Sequence, residues 1–397
     1  MHNEQIFDLI IFEEKGRDAM QNEDTFWRIL LNQCRQEQIP GAEGTTGSSA
    51  AMVRLVDFLI LQALEAGASD LHIEPWERSL RFRLRVDGLL QVMPWQLPGD
   101  LAPMLVSRIK VLAGMDIAKH QQPQDGAFIF QEQGKKVDIR AASMPVAGGE
   151  MLVLRLLNMQ DEMLTLSELG FTAENEAKFR ELIHRPSGLL IVCGPMGSGK
   201  TTTLYAALRE VNRVEKNWLT LEDPIERHIQ GINQIQVNPQ AGLSYANGLR
   251  AILRMDAQGI LLGEIRDEET AMLAVRMALT GHLILTTLHT ESAVAAVLRL
   301  LEMKVPPYLL AATLSGVLAQ RLVRRCVDKE QELYRGRLAL HELMVVDKSI
   351  REAILIGQSQ EQLEALAWQG GMRTLWSDGE AKAAAGLTTR EELTRVL

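Results

Sequence analysis

The sequence predicts an α/β chain of two main domains, the second built on a mostly parallel sheet, and three observations carry that expectation. Beyond residue 188, the short apolar runs Leu189–Cys193, Trp218–Leu221, Ile260–Leu262 and Leu283–Leu285 alternate with helix-compatible stretches, as repeated β/α units do. Before residue 157 the periodicity differs: Leu80–Val86 alternates strictly, and Asp87-Gly88 turns it into Leu89–Val92, a hairpin signature. Ahead of both lies Pro40–Ser49, rich in Gly, Ser and Thr, which has the composition of a linker.

In chain order, residues 1–38 read as weakly helical, so that 1–49 is a short N-terminal segment with its linker. From Ala50 to Glu65, Val53, Val56, Leu59, Ile60 and Leu64 recur at helical spacing, and Gly67 stops the helix. The hairpin follows with its arginines on one face. A helix near Leu101–Ala113 and strands near Phe128–Phe130, Val137–Arg140 and Met151–Leu157 complete an α/β domain over residues 50–157. His72, between Leu71 and Ile73, reads as structural. Residues 158–170 read as a connection and 171–397 as the second domain.

Bulk properties exclude several classes. With 46% hydrophobic and 23% charged residues the 397-residue chain is globular. A net charge of −9 argues against bulk adhesion to nucleic acid. The three cysteines, Cys34, Cys193 and Cys326, form no Cys-x-x-Cys pair, which suits a reducing compartment and leaves no thiol zinc site. Met1–Gln5 lacks the basic start of a signal peptide and no run approaches a membrane span, so the chain is expected to stay inside the cell.

The sharpest local feature is Gly194-Pro195-Met196-Gly197-Ser198-Gly199-Lys200-Thr201, a full Gly-x-x-x-x-Gly-Lys-Thr phosphate loop directly after the apolar run ending at Cys193. Its glycines let backbone N–H groups turn around a β-phosphate, Lys200 adds charge toward the β/γ oxygens, and the Thr201 hydroxyl is placed to ligate Mg²⁺. Thr202 opens a helix-compatible segment, whose N-terminus would also favour the anion.

Ligands of open parallel sheets bind beyond the strand C-termini. The other strands run into Glu222-Asp223, Gly263–Asp267 and Thr286–His289. Glu264 stands where a phosphate-loop enzyme places the carboxylate that orients water or holds Mg²⁺ through water. Glu222 has the same placement, with a helix N-cap as its alternative; Glu264 is the favoured base. His289 and His282 are candidate γ-phosphate or interface sensors, and a satisfied core histidine is the competing assignment. Arg250, Arg254 and Arg266 flank the Glu264 strand and could supply charge that a phosphoryl transition state needs, or simply pair on a solvated helix. Arg321–Arg325 reads either as a solvated helix face or as a small polyanion or subunit contact.

Together these motifs resemble the assembly ATPases of type II secretion and type IV pilus machines, over about residues 50–397. The first domain carries the likeness in Ala68–Pro75, Arg85–Gly88, Ser107–Leu112 and Pro123–Gly126. The second carries it in Leu221–Glu226, Leu249–Arg254 with Gly263–Asp267, Leu279–Thr290 and Ala319–Arg325. The resemblance implies a RecA-like phosphate-loop ATPase domain with a C-terminal helical arm, preceded by a smaller PAS-like α/β domain. It implies ATP with Mg²⁺ bound between the domains of a homo-hexamer, the site completed by a neighbouring subunit. Arg140 and Arg155 match the family's first-domain arginines that reach the phosphates. It also implies a cytoplasmic protein at the inner-membrane face, driving an inner-membrane platform protein that polymerises pilin-like subunits.

Three departures accompany the likeness. The family's paired Cys-x-x-Cys module is missing, since Arg324-Arg325-Cys326 runs almost at once into Tyr334–Leu343, so no zinc is expected. The family's N-terminal docking domain is expected to be reduced here to about residues 1–45. Met255–Gly259 replaces the usual segment before the Glu264 strand and Met196 replaces the usual Thr; both are expected beside the active residues. A non-catalytic nucleotide-binding scaffold and a retraction or conjugation-type ATPase are the competing readings.

Overall fold

The computed structural model describes residues 17–37, 50–132, 135–158, 163–328 and 333–397. The chain divides into two compact units, residues 1–161 and 162–397.

In the first unit, α1 (Arg17–Gln36) and α2 (Ala50–Glu65) precede the antiparallel strands β1 (Asp70–Trp76), β2 (Ser79–Val86) and β3 (Leu89–Pro98). Helix α3 (Ala102–Leu112) and strands β4 (Gln124–Glu132), β5 (Lys135–Val146) and β6 (Gly149–Asn158) follow. The sheet runs β3-β2-β1-β6-β5-β4. Gly67 ends the α2 turn at φ 66°, a value that suits a residue without Cβ. The predicted linker and residues 1–16 lie outside the described residues.

Alternation sorts the side chains of this sheet. Leu80, Phe82, Leu84 and Val86 of β2 face a core that also holds Trp27, Phe58 and Trp95, while Arg81, Arg83 and Arg85 take the other face. There Glu74 accepts from Arg81 at 2.9 Å and from Arg83 at 2.5 Å.

The second unit begins, after a 3₁₀ turn at Leu166–Leu169, with α4 (Ala173–Ile183), β7 (Gly188–Cys193), α5 (Lys200–Val211), β8 (Trp218–Glu222) and β9 (Asn233–Gln236). Next come α6 (Tyr245–Ile252), β10 (Gly259–Leu262), α7 (Glu268–Leu279), β11 (Leu283–Leu288), α8 (Ala293–Glu302) and α9 (Pro307–Thr313). The strands β12 (Leu314–Asp328) and β13 (Leu333–Val345) lead to α10 (Lys348–Ile356), α11 (Gln360–Gln369), α12 (Leu375–Ala384) and α13 (Arg390–Val396). The sheet order is β13-β12-β7-β11-β10-β8-β9. Every pairing from β12 to β9 is parallel, and β13 adds antiparallel to the edge. Strands β7, β8, β10 and β11 are buried at every position. Leu189 and Ile191 point into one core and Leu190 and Val192 into the other, which explains their continuous apolar runs.

Two expectations fail here. Arg321–Arg325 is no helix face; it lies in β12, paired along β13 in the register Arg321↔Leu340 and Val323↔Leu338. On a period-two strand Arg321, Val323 and Arg325 share one face and Leu322 and Arg324 the other, so the run lacks the apolar–polar alternation that marks a strand in sequence. Met255–Gly259 lies at the N-terminal end of β10, where Asn217 Nδ2 donates to the carbonyls of Met255 at 2.8 Å and Asp256 at 3.1 Å. The strand therefore separates this segment from Glu264.

The arginines of β12 fasten the C-terminal helix. Glu392, nearly fully buried, accepts from Arg324 Nη2 at 2.6 Å, from the Arg324 backbone N–H at 3.1 Å and from Arg395 Nη2 at 2.7 Å. Burial pushes the Glu392 carboxyl up, but the hydrogen bonds from Arg395 and Arg324 outweigh it and hold the group at about 2 rather than 4.5. Its stabilisation is thus full above the unfolded value and lost as pH falls from about 4.5 toward about 2. Glu392→Gln should lower Tm at pH 7, and its deficit against the natural chain should shrink steadily between those values. A deficit constant with pH would refute the assignment.

Candidate phosphate site

The phosphate loop stands between β7 and α5. Gly194, Gly197 and Gly199 adopt φ of 151°, 75° and 85°, values only glycine takes without strain. Helix α5 starts after Gly199 with no side chain capping its first turn, so its leading N–H groups remain available. Ser198 Oγ is buried without a hydrogen-bond partner. Lys200 Nζ turns back to donate to the carbonyls of Gly194 at 2.9 Å and Pro195 at 2.8 Å, and burial lowers its pKa. A cradle of free N–H donors, an orphaned hydroxyl and a buried ammonium fits a polyphosphate, which would offset the cost of keeping Lys200 charged. Pro195 and Met196 sit at the exposed crest, Met196 being 88% exposed; Thr201 is half-buried and Thr202 exposed.

Because β7, β8, β10 and β11 are parallel, their C-terminal ends reach the same edge. Glu264, just past β10, is bonded by Arg266 on one oxygen and lies 3.2 Å from His289 Nε2 on the other. Arg266 also approaches Asp223 at 3.6 Å, and its hydrogen bond to Glu264 raises its pKa. The structure therefore brings Glu264, Arg266 and His289 together. A further residue enters that the sequence reading did not single out. A methyl group built on Gly263 would fall 2.9 Å from the Tyr245 hydroxyl, whose pKa is raised by burial and then by Glu264 and Asp223. Only the packing of α6 beside β8 and α7 brings this neighbour to the end of β10.

Glu222 differs. It is buried and accepts from the Tyr205 hydroxyl, from Thr220 Oγ1 at 2.5 Å and from Gln234 Nε2 at 3.1 Å. Burial and this bond push the Tyr205 pKa up, fixing the phenol as a donor. The carboxylate is neither a helix cap nor open to water; it ties α5, β8 and β9 together.

The remaining candidates fare unequally. His282 lies before β11, its Nδ1 3.0 Å from the Met277 carbonyl, while its own carbonyl accepts from Gly188 N at the start of β7. It stands at the N-terminal edge, a six-residue strand from the phosphate loop, and is not part of the site. Arg254 lies in the turn after α6 that leads to this same edge, donating to the Arg250 carbonyl at 3.0 Å. Arg250 is bonded to Glu269 in the first turn of α7. In the first unit, Arg140 of β5 and Arg155 of β6 are direct cross-strand neighbours, and Arg155 Nε donates to Asp70 at 3.1 Å.

Cys193, just before the loop, is a buried thiol pushed up to about 12 by desolvation, and Cys326 is a buried free thiol. Among the described residues no group of three or more His, Cys, Asp or Glu could hold a metal, and no helix is long and apolar enough to cross a membrane.

Residues 45–395 match the family described as Type II/IV secretion system protein. The Type II secretion system ATPase E of Vibrio cholerae is 42% identical, over 97% of this chain and 82% of its own. Among solved structures, the pilus retraction motor PilT with bound ADP superposes with a TM-score of 0.63 at 28% identity, covering 86% of this chain and 96% of its own. The ATPase DotB of Legionella pneumophila gives a TM-score of 0.70 at 24% identity, over 89% and 97% respectively, and supports the fold alone.

The two carboxylates separate in a stability measurement. An amide at 222 supplies one accepting oxygen where three donors now find two, so Glu222→Gln should cost about 1–3 kcal/mol. Glu264→Gln, whose partner Arg266 is exposed to solvent, should stay within about 1 kcal/mol of the natural chain. Equal denaturation midpoints for the two variants would contradict these placements.

Proposed function

This chain belongs to the type II/IV secretion system protein family, and we propose that it is an ATPase that hydrolyses ATP to power assembly of a type II secretion pseudopilus or a type IV pilus. The observation that carries this is the fit of the uncapped α5 N-terminus, the buried Ser198 hydroxyl and Lys200 to a polyphosphate at the sheet edge that also presents Glu264. The Vibrio cholerae relative is named as an ATPase and PilT was solved with ADP, which supports the nucleotide.

In this reading the N–H groups of Gly197–Thr201 hold the β-phosphate, and Lys200 exchanges its two loop carbonyls for phosphate oxygens. Mg²⁺, when bound, supplies neutralisation of charge on the β- and γ-oxygens; Thr201 would hold it directly and Glu264 through water. Arg266 and His289 hold one Glu264 oxygen each, fixing the carboxylate so that it can orient a water against the γ-phosphate. Glu222 supports the edge from beneath and touches no reacting atom.

A phosphoryl transition state needs more positive charge than Lys200 offers. The Arg140 and Arg155 pair would supply it to a neighbouring copy, within a hexamer whose rotation of subunits passes the energy to an inner-membrane platform protein. The protein would then act at the cytoplasmic face of that membrane, held there by its partners.

Glu264→Gln should bind ATP as the natural chain does and hydrolyse it about 10²-fold more slowly. Arg140→Ala should also lose turnover while keeping most of its affinity, since what it removes is transition-state charge. Mixing the two inactive proteins should restore part of the phosphate release, because some sites then pair an intact Glu264 with an intact Arg140. Natural turnover in Glu264→Gln would remove that residue from the chemistry, and absence of any rescue would argue against a site shared between copies.

A further inference from the structure

The phosphate loop is not free-standing. Strand β12 runs beside β7, with Ala319 opposite Cys193, and its next residue, Gln320, continues past the end of β7 along the back of the loop. Gln320 is 1% exposed. Its Oε1 accepts a buried hydrogen bond from Thr203 Oγ1 at 2.7 Å, within the first turn of α5. A methyl group on Gly199 would come 2.8 Å from Gln320 Nε2, and one on Gly194 would come 2.5 Å from the Gln320 carbonyl oxygen. The same Gly199 methyl would meet Leu322 at 3.5 Å. The glycines at both ends of the loop thus make room for β12 as well as for an anion. Gln320 is itself fastened: its carbonyl accepts from Arg321 Nη1 at 3.1 Å, and Arg321 Nη2 donates to the Glu291 carbonyl at 2.9 Å.

We infer that Gln320 is a positioning residue for the phosphate loop, holding the first turn of α5 through Thr203 and backing Gly199 so that the loop keeps its anion-binding shape before any phosphate arrives. This deepens the proposed function and rests on it for the ligand. Without the Thr203 bond the first turn of α5 would lose its side-chain tie to β12, and Ser198 and Lys200, which sit on either side of Gly199, would be held less firmly toward an anion. Such a residue governs ground-state and transition-state binding equally, so its loss raises KM and leaves kcat near its natural value. Preorganisation is what it supplies, and preorganisation is measurable without nucleotide.

The test uses Gln320→Leu, which keeps the bulk and removes both polar atoms, and Thr203→Val, which removes the other half of the bond at nearly constant shape; Thr203→Ser keeps the hydroxyl. The readouts are ADP affinity, the kcat and KM for ATP, and amide hydrogen exchange across Gly194–Thr201 in nucleotide-free protein. Gln320→Leu and Thr203→Val should each weaken ADP binding about tenfold, raise KM similarly with kcat within about twofold, and speed exchange in the loop. The double variant should be no worse than either single, and Thr203→Ser should behave as the natural chain. Unchanged affinity and exchange in folded Gln320→Leu, or additive losses in the double variant, would overturn the inference. If Gln320→Leu does not fold, the Thr203→Val and Thr203→Ser pair decides by the same readouts. A natural chain that binds no ADP would defeat the proposed function, whereas the exchange comparison would still decide the role of Gln320.

Discussion

Parallel strands carry their C-terminal ends to one edge of a sheet, and in the second unit that constraint decides which residues can meet. The phosphate loop, Glu264 and His289 are remote in sequence yet follow β7, β10 and β11, whose registers align Leu190 with Leu285 and Leu261 with Leu285. The two apolar cores that clamp the sheet on both faces hold this edge rigid without lending it any polar atoms. This edge therefore gathers the polar groups, while the opposite edge receives turn residues such as Asn217 and His282.

Charge at the edge is balanced in pairs. Glu264 sits between Arg266 and His289, so an added anion is met by Lys200 and the α5 N-terminus and not by a bare carboxylate. Glu222, though it ends a neighbouring strand, is consumed by Tyr205, Thr220 and Gln234 and serves the frame. Two acids at equivalent strand ends thus have different work because one looks into the packed layer beneath α5 and the other out across the edge.

The parallel sheet and the edge were legible in sequence because βα alternation writes itself as apolar runs with polar stops, and the phosphate loop because its spacing has a mechanical reason. The sequence could not separate Glu222 from Glu264, since a carboxylate after a strand looks the same whether its donors come from Tyr205 beneath the strand or from Arg266 and His289 at the edge. His282 and Arg254 were drawn in by nearness along the chain, which says nothing about which end of a strand a residue occupies. Strands β9 and β12 escaped for opposite reasons: Asn233–Gln236 is short and polar at an edge, and the arginines of β12 disguise a fifteen-residue strand as a charged helix. Gln320 was legible only as part of a motif, because its bond to Thr203 joins residues 117 apart.

We propose that the edge formed by Lys200, Thr201 and Glu264 hydrolyses ATP. Phosphate release by the purified natural chain, with and without Mg²⁺, against Lys200→Ala tests it most directly. The expected result is Mg²⁺-dependent release that falls to background in Lys200→Ala together with a loss of nucleotide affinity. Release that is indifferent to Mg²⁺, or undiminished in Lys200→Ala, would contradict it.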